Sequence, residues 1–167
     1  MMKRFFRIAI PSALLCLAAP MLAADALIVD PVVRAGSWAV TASDVVVGGV
    51  LPDGAREGVE ASVRRPRTVC YQPGRTRRGR PRSLLEEFAG SPCNAESAAV
   101  DGQRFTGKML CADDITFGST AYEGSYDATS ADVDLTVDMS FKDTDYRMLM
   151  TTRLKFEWQG AGCRSGG

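Results

Sequence analysis

The stretch DVDLTVDMSF, residues 132–141, alternates strictly between polar and apolar side chains. Apolar residues stand at 133, 135, 137, 139 and 141, and polar residues stand between them. A period of two is the spacing of a β-strand with one buried face and one solvated face. We therefore predict a half-buried strand over these ten residues.

A second alternating run follows the first at a distance that suits a hairpin. Residues 142–145, KDTD, have the composition of a turn. After them, apolar side chains alternate with polar ones as far as Gln159, and the apolar set is Tyr146, Met148, Met150, Leu154, Phe156 and Trp158. The two runs together predict one antiparallel hairpin.

Weaker patterns upstream predict further strands. Residues 37–41 and 45–47 look like opening strands, with a turn at Gly48-Gly49. Phe105, Met109 and Cys111 share one strand face, and residues 115–128 favour another long strand. The fold class expected is mainly β, an antiparallel curved sheet or open barrel of about five to eight strands, by the rules of layer packing. A closed barrel stays an alternative.

One short helix is predicted within this β-rich chain. Ser83 has the character of an N-cap, Glu86 stands at the third helical position, and Gly90 follows as a stop signal. Serine followed three residues later by glutamate is the pattern of a capping box.

The N-terminus has the composition of a secretory signal peptide over residues 1–24. A basic head with Lys3, Arg4 and Arg7 precedes an apolar run at 8–22, and cleavage is expected after Ala24 or after Ala26. The run is too short for a bilayer-spanning helix, and no later segment is continuously apolar, so we expect no transmembrane segment in the mature chain. We predict export to the periplasm of a single β-rich domain, residues 25–167.

The cysteines predict two disulfides. Without the leader, which contains Cys16, the chain keeps Cys70, Cys93, Cys111 and Cys163, an even number in a protein bound for an oxidising compartment. Four cysteines permit three pairings. We favour Cys93 with Cys111, because a hairpin could bring them together, and therefore Cys70 with Cys163. A zinc site is not expected, since the chain lacks histidine and C-x-x-C spacing.

Charge is unevenly distributed along the chain. Residues 56–82 contain nine arginines and two glutamates, whereas residues 101–145 contain ten acidic and three basic residues. Within the first stretch, residues 73–82 read as a basic, flexible and exposed loop. Its candidate anion contacts are Arg75, Arg77, Arg78, Arg80 and Arg82. These arginines could bind an anionic envelope surface, or they could merely balance the negative charge of the acidic sheet. Nucleic acid is not expected as a partner, because base stacking needs aromatic residues and Tyr71 is the only one in the basic stretch before Arg82.

Four landmarks in this sequence carry a resemblance to a known family. They are GSWAV at 36–40, VCYQP at 69–73, Cys93 and Cys111 on either side of Gly102, and GAGC at 160–163. The chain resembles a family of exported bacterial proteins catalogued as domain-of-unknown-function family 3617 (DUF3617). The resemblance implies a periplasmic, β-rich, disulfide-bonded domain and brings no catalytic residues. The arginine-rich loop after Pro73 departs from the family's pattern.

Catalysis has few candidate residues. Without histidine the chain has no Ser-His or Cys-His nucleophilic pair, which leaves carboxylate chemistry at Asp113, Asp114, Asp132, Asp134 and Asp138. The first two fit a turn and the other three fit the solvated face of a strand, so we expect no enzyme and no cofactor. A carboxylate-based hydrolase is the enzymatic alternative. Calcium is not expected either, because the acidic run lacks the glycine that a calcium loop needs.

The apolar stripe of the hairpin permits a different function. On a curved sheet it could line a cavity for a lipid or another apolar ligand, although such stripes are commonly ordinary core. The candidate lining residues are Trp38, Met148, Met150, Phe156 and Trp158. We therefore predict a periplasmic, non-enzymatic binding or envelope-associated domain. We keep two more specific alternatives for this function: the protein carries an apolar ligand, or it binds an anionic surface through its arginine-rich loop.

Overall fold

The strand predicted at residues 132–141 lies in the middle of a large antiparallel sheet. The computed structural model describes residues 33–73, 76–77, 80–81, 83–90 and 93–163, with only the backbone given for 76, 77, 80 and 81. The predicted signal peptide lies outside the described residues. The elements in chain order are β1 Gly36–Val50, α1 Ala55–Val63, β2 Arg67–Tyr71, β3 Thr76–Arg77, β4 Arg80–Pro81, α2 Leu84–Ala89, β5 Cys93–Asp101, β6 Arg104–Ala112, β7 Thr116–Tyr126, β8 Ser130–Phe141 and β9 Arg147–Gly160.

Seven of these strands form one sheet in the order β2-β1-β9-β8-β7-β6-β5, and every neighbouring pair is antiparallel. The sheet curls into a half-barrel in which β2 and β5 are the two edge strands. β3 and β4 form a separate two-stranded pair. The predicted antiparallel curved sheet, with its two disulfides, is confirmed.

The β8–β9 hairpin has the predicted alternation of faces. Val133 and Leu135 are buried, while Asp132 and Asp134, which alternate with them, are exposed. Asp143 takes a left-handed conformation, with φ of 60°, in the turn that joins the strands. We call the buried side of the sheet the concave face and the opposite side the convex face.

β1 differs from the expectation of two short strands that end in a turn at Gly48-Gly49. It is one strand of 15 residues that pairs with β9 along its length, including both glycines. A bulge at Asp44, with φ of 52°, interrupts the register and returns Val45 and Val47 to the concave face. The hydroxyl of Thr152 donates to the Ser43 carbonyl at 3.0 Å, beside the bulge. A bulge adds one residue to a strand without ending it. Because the alternation of faces shifts by one residue at the bulge, the sequence pattern alone does not show that the strand continues.

Helix α2 is the predicted helix, and it has the predicted cap. The Ser83 hydroxyl accepts from the Glu86 backbone N–H at 3.1 Å, and the Glu86 carboxylate accepts from the Ser83 backbone N–H at 2.9 Å. The helix contacts both edge strands, β2 and β5, so it crosses the open side of the half-barrel. Leu85 joins the core there.

Helix α1 was not expected, and the prediction of one helix was therefore incomplete. It packs against β1, and none of its residues is fully buried. Ala55, Val59 and Val63 recur at a spacing of four residues, which is a weak helical signal in so short a segment. Among the described residues, no helix is long and apolar enough to cross a membrane.

Glycines in β6 and β7 make room for aromatic side chains on the concave face. A side chain at Gly107 would overlap the hydroxyl of Tyr122, which donates to the Ser97 carbonyl at 3.4 Å. A side chain at Gly124 would crowd the ring of Phe105. Glycines covered by neighbouring aromatic rings are typical of strongly curved sheets.

Both predicted disulfides are present. Cys93 and Cys111 face each other across β5 and β6 with a Cα–Cα distance of 4.0 Å, and Cys70 joins Cys163 at 5.3 Å. The second bridge ties the end of the chain after β9 to edge strand β2, across the start of β1. Gly36 lies in that corner, where a Cβ would collide with the carbonyl of Gly160. Close packing at this corner therefore requires glycine at position 36, the first residue of the GSWAV landmark.

Candidate functional site on the concave face

The concave face contains a cavity of about 250 Å³ between the sheet and the two helices. Apolar side chains supply most of its lining, and the residues are Val63, Arg67, Leu85, Phe88, Ala89, Cys93, Met109, Cys111, Thr120, Leu135, Val137, Met139, Met150, Thr152 and Leu154. We call this space the methionine cavity, because three methionines line it. Its volume is slightly below the roughly 300–1,000 Å³ of typical small-molecule sites.

A smaller cavity of about 70 Å³ lies on the other side of α2. Aromatic rings dominate its lining, which includes Tyr71, Phe105, Tyr122, Tyr126 and Phe156. Leu85 lines both cavities, so this one side chain of α2 stands between them. The position of α2 therefore decides whether the two cavities are separate or form one continuous apolar space.

Methionines are concentrated on this face. The chain has seven, of which three lie at positions 1, 2 and 21, within the predicted leader. The other four are Met109 on β6, Met139 on β8, and Met148 and Met150 on β9, and the register places Met139 directly opposite Met148. The unbranched thioether side chain adapts to irregular shapes, and methionine is over-used on surfaces that accept varied ligands.

The five apolar residues predicted as a lining occupy different environments. Met150 lines the methionine cavity and Phe156 lines the smaller one. Met148 is half-buried on the same face. Trp38 is completely buried and its indole N–H donates to the Arg34 carbonyl at 3.0 Å, so it belongs to the core.

Trp158 lies at the edge of the concave face, near the start of β1. Its indole N–H donates to the carbonyl of Ala35 at 3.0 Å, and the guanidinium of Arg34 lies 5.2 Å from its ring centre. These contacts fasten the segment before β1 to the end of β9. Trp158 therefore has a structural role, and it does not line either cavity.

The basic loop is described only in part. Arg77 and Arg80 pair through their backbones in the β3–β4 pair, whereas Arg75, Arg78 and Arg82 lie outside the described residues. Contact with an anionic surface through these arginines stays a prediction.

The candidate catalytic carboxylates line neither of these two cavities, although Asp134 and Asp138 each line a shallow cleft on the convex face. Asp134 pairs with Arg153 and Asp138 with Arg147 on the convex face, and Asp132 is exposed on the same side. Hydrogen bonds from Arg147, and its charge, lower the pKa of Asp138. The described residues contain no cluster of three or more histidine, cysteine or acidic residues that could hold a metal ion.

Asp113 and Asp114 lie in the turn between β6 and β7, as their composition predicted. One carboxylate oxygen of Asp113 accepts backbone N–H groups from Thr116 at 2.6 Å and Ile115 at 2.8 Å, which lowers the pKa of Asp113. Asp114 is exposed beside it. These residues shape a turn and line neither of the two cavities on the concave face.

The fold and the site define a class of protein: a disulfide-linked, antiparallel half-barrel whose apolar concave face is partly covered by one helix. The family described as "Protein of unknown function (DUF3617)" matches residues 33–163, and the chain belongs to this family. No curated protein and no solved structure matches the chain.

Sequence reasoning missed several lining residues. Met139 was placed on the buried face of its strand but was not proposed as a lining residue, and Phe88 and Ala89 fall within the predicted helix. Arg67 was counted only as part of the basic stretch. Its place in β2 follows from pairing with β1, a long-range relation that the local sequence pattern does not contain.

Proposed function

We propose that this protein is an exported, periplasmic, non-enzymatic domain that binds an apolar ligand on the concave face of its half-barrel. The observation that carries the proposal is the methionine cavity, about 250 Å³ in volume and lined almost wholly by apolar side chains. Concave, mostly apolar cavities with few polar groups are the usual sites of small-molecule binding.

The two faces of the sheet differ in polarity, and this difference supports a binding role for the concave face. Ion pairs occupy the convex side of β8 and β9, whereas the concave side has apolar residues and methionines. Water is a poor solvent for apolar surface, so an apolar ligand gains by entering such a cavity. The chemistry available there is packing, with no paired carboxylates for acid–base catalysis in the described lining.

The test uses the oxidised mature protein and N-phenyl-1-naphthylamine, an uncharged dye that fluoresces in apolar surroundings. We expect saturable binding that free fatty alcohols displace. Ala89→Phe should fill part of the methionine cavity and weaken dye binding about tenfold or more, since the dye could then enter only by overpacking the site, which costs about 1 kcal/mol or more. The matched control is Ala121→Phe, because Ala121 is exposed on the convex side of β7.

Two results would overturn the proposal. One is the absence of saturable dye binding to the folded protein. The other is equal binding by the Ala89→Phe and Ala121→Phe variants, which would place any dye site elsewhere. Mass spectrometry of protein purified under native conditions adds the identity of a bound lipid where one is retained.

Export has its own test. The basic head, the apolar run at 8–22 and the two disulfides support secretion into an oxidising compartment. We expect the mature chain in the periplasmic fraction, with an N-terminus at residue 25 or 27. An intact N-terminus on protein from the cytoplasmic fraction would contradict export.

A further inference from the structure

Strand pairing places one arginine on the apolar side of the sheet. Arg67 is directly opposite Val40 in the β1–β2 pair, and opposite residues of an antiparallel pair share a face. Val40 is 2% exposed and belongs to the core. The side chain of Arg67 therefore lies on the concave face, at edge strand β2.

Arg67 is the one charged residue among the described residues that line the two cavities. Its guanidinium carbon lies 5.8 Å from the ring centre of Phe88 on α2. The residue remains exposed overall, so its charged end reaches water while its stem borders the methionine cavity. This arrangement places a hydrated cation at the mouth of an apolar space.

Cations on the convex face have a different environment. Four of them have a carboxylate partner, in the pairs Lys108–Glu96, Arg147–Asp138, Arg153–Asp134 and Lys155–Glu157. Over the part of the chain that the structure describes, Arg67 has no such ion pair. Its planar guanidinium can form paired hydrogen bonds with a carboxylate or phosphate group.

We propose that the apolar ligand is a single-chain amphiphile with an anionic head group, and this inference rests on the proposed function. Its chain occupies the methionine cavity against Met139, Met150 and Leu154, and its head group binds Arg67. The volume of about 250 Å³ suits one short chain rather than two. Carboxylate and phosphate heads share the chemistry that an arginine recognises.

The experiment compares three ligands of equal chain length, namely dodecanoate, dodecyl phosphate and dodecanol, by displacement of the uncharged dye. Wild-type protein should bind at least one anionic ligand about tenfold or more tightly than dodecanol, the usual scale for a charge-assisted hydrogen bond. The preference between the two anions identifies the head group. Raised salt should weaken anion binding and leave dodecanol unchanged.

Arg67→Gln is the decisive variant. It should lower the affinity for the anionic ligands about tenfold more than the affinity for dodecanol, so that the preference for anions is lost. A far-UV circular dichroism spectrum equal to that of the wild type shows that the variant is folded. Arg67→Lys should keep part of the preference, because it keeps the charge but loses the planar fork. The matched control is Arg56→Gln on α1, an exposed arginine that lines neither cavity.

The outcomes separate this inference from the proposed function. Equal affinity of wild-type protein for anionic and neutral ligands would overturn the role of Arg67 and leave apolar binding intact. An anion preference that survives in Arg67→Gln would do the same. Failure of the dye and of all three ligands to bind the folded protein would overturn both.

Discussion

The ring of Phe88 on α2 meets the ring of Phe156 on β9 edge to face, with 5.6 Å between ring centres. Phe156 is 1% exposed, in the middle of the sheet, whereas Phe88 is half-buried at the edge of the methionine cavity. The contact fastens the helix that crosses the open side of the half-barrel. Edge-to-face pairs contribute about 0.5–1.5 kcal/mol beyond the apolar area that they bury.

Phe88→Ala should therefore destabilise the protein by about 2 kcal/mol, measured as the free energy of unfolding in urea. The estimate combines lost burial of a half-exposed ring with loss of the aromatic contact. Phe117→Ala is the control, because Phe117 is 50% exposed on the convex face and should cost less than about 0.5 kcal/mol. Equal losses in the two variants would show that Phe88 does not hold α2.

The disulfides should differ in their contribution to stability. The Cys70–Cys163 bridge has a sequence separation of 93 and the Cys93–Cys111 bridge one of 18. Loop-closure entropy in the unfolded chain then gives roughly 4.6 and 3 kcal/mol respectively. Replacing each cysteine pair by serine and measuring the free energy of unfolding tests this order. A larger loss from the shorter loop would contradict the chain-entropy account.

Local sequence pattern was sufficient for the centre of the sheet. The β8–β9 hairpin was predictable because its buried and solvated faces differ strongly in polarity, and the register follows from that alternation. Helix α2 was predictable because Ser83 and Glu86 supply a cap within three residues. In both cases the information that determines the element lies within the element.

The edges of the sheet were less predictable for a physical reason. Strand β5 has the sequence CNAESAAVD, with little β-propensity, and it is a strand because β6 and a disulfide hold it. The cavities arise from the curl of the sheet and the placement of α2, which depend on contacts between distant residues. Arg67 therefore became recognisable as a site residue only from its pairing with β1.

The buried Glu86 carboxylate should stabilise α2 and its attachment to β5. This residue is 3% exposed; one oxygen accepts from the Ser83 backbone N–H and the other from the Ala95 N–H at 3.4 Å. Ser83→Ala should cost about 1 kcal/mol through loss of the cap. Glu86→Ala should cost about 2 kcal/mol or more, since it also leaves buried donors unsatisfied.

Urea unfolding of the two variants checks this order. The control is Glu96→Ala on β5, whose ion pair with Lys108 is exposed and should contribute less than about 1 kcal/mol. A loss for Glu86→Ala no larger than that for Glu96→Ala would contradict a structural role for the buried carboxylate.

Asp127, in the turn between β7 and β8, should make stability depend on pH in the acid range. Its carboxylate accepts backbone N–H groups from Thr129 and Ser130, each at 2.7 Å, and the Ser130 hydroxyl at 2.9 Å. The Thr129 N–H, the Ser130 hydroxyl and the Ser130 N–H lower the pKa of Asp127 from 3.8 to about 2. These hydrogen bonds favour the ionised form in the folded protein.

The direction of the effect follows from the two pKa values. The folded pKa of Asp127 is the lower one, so the unfolded chain binds more protons and stability increases with pH between about 2 and 4. The contribution of the ionised Asp127 carboxylate to the free energy of unfolding is complete above that range and is lost as the pH falls through it. Asp127→Asn removes the ionisation, so the urea midpoint of the variant should fall less than that of the wild type between about pH 5 and pH 2. An acid slope in Asp127→Asn equal to that of the wild type would show that the turn hydrogen bonds do not favour the carboxylate.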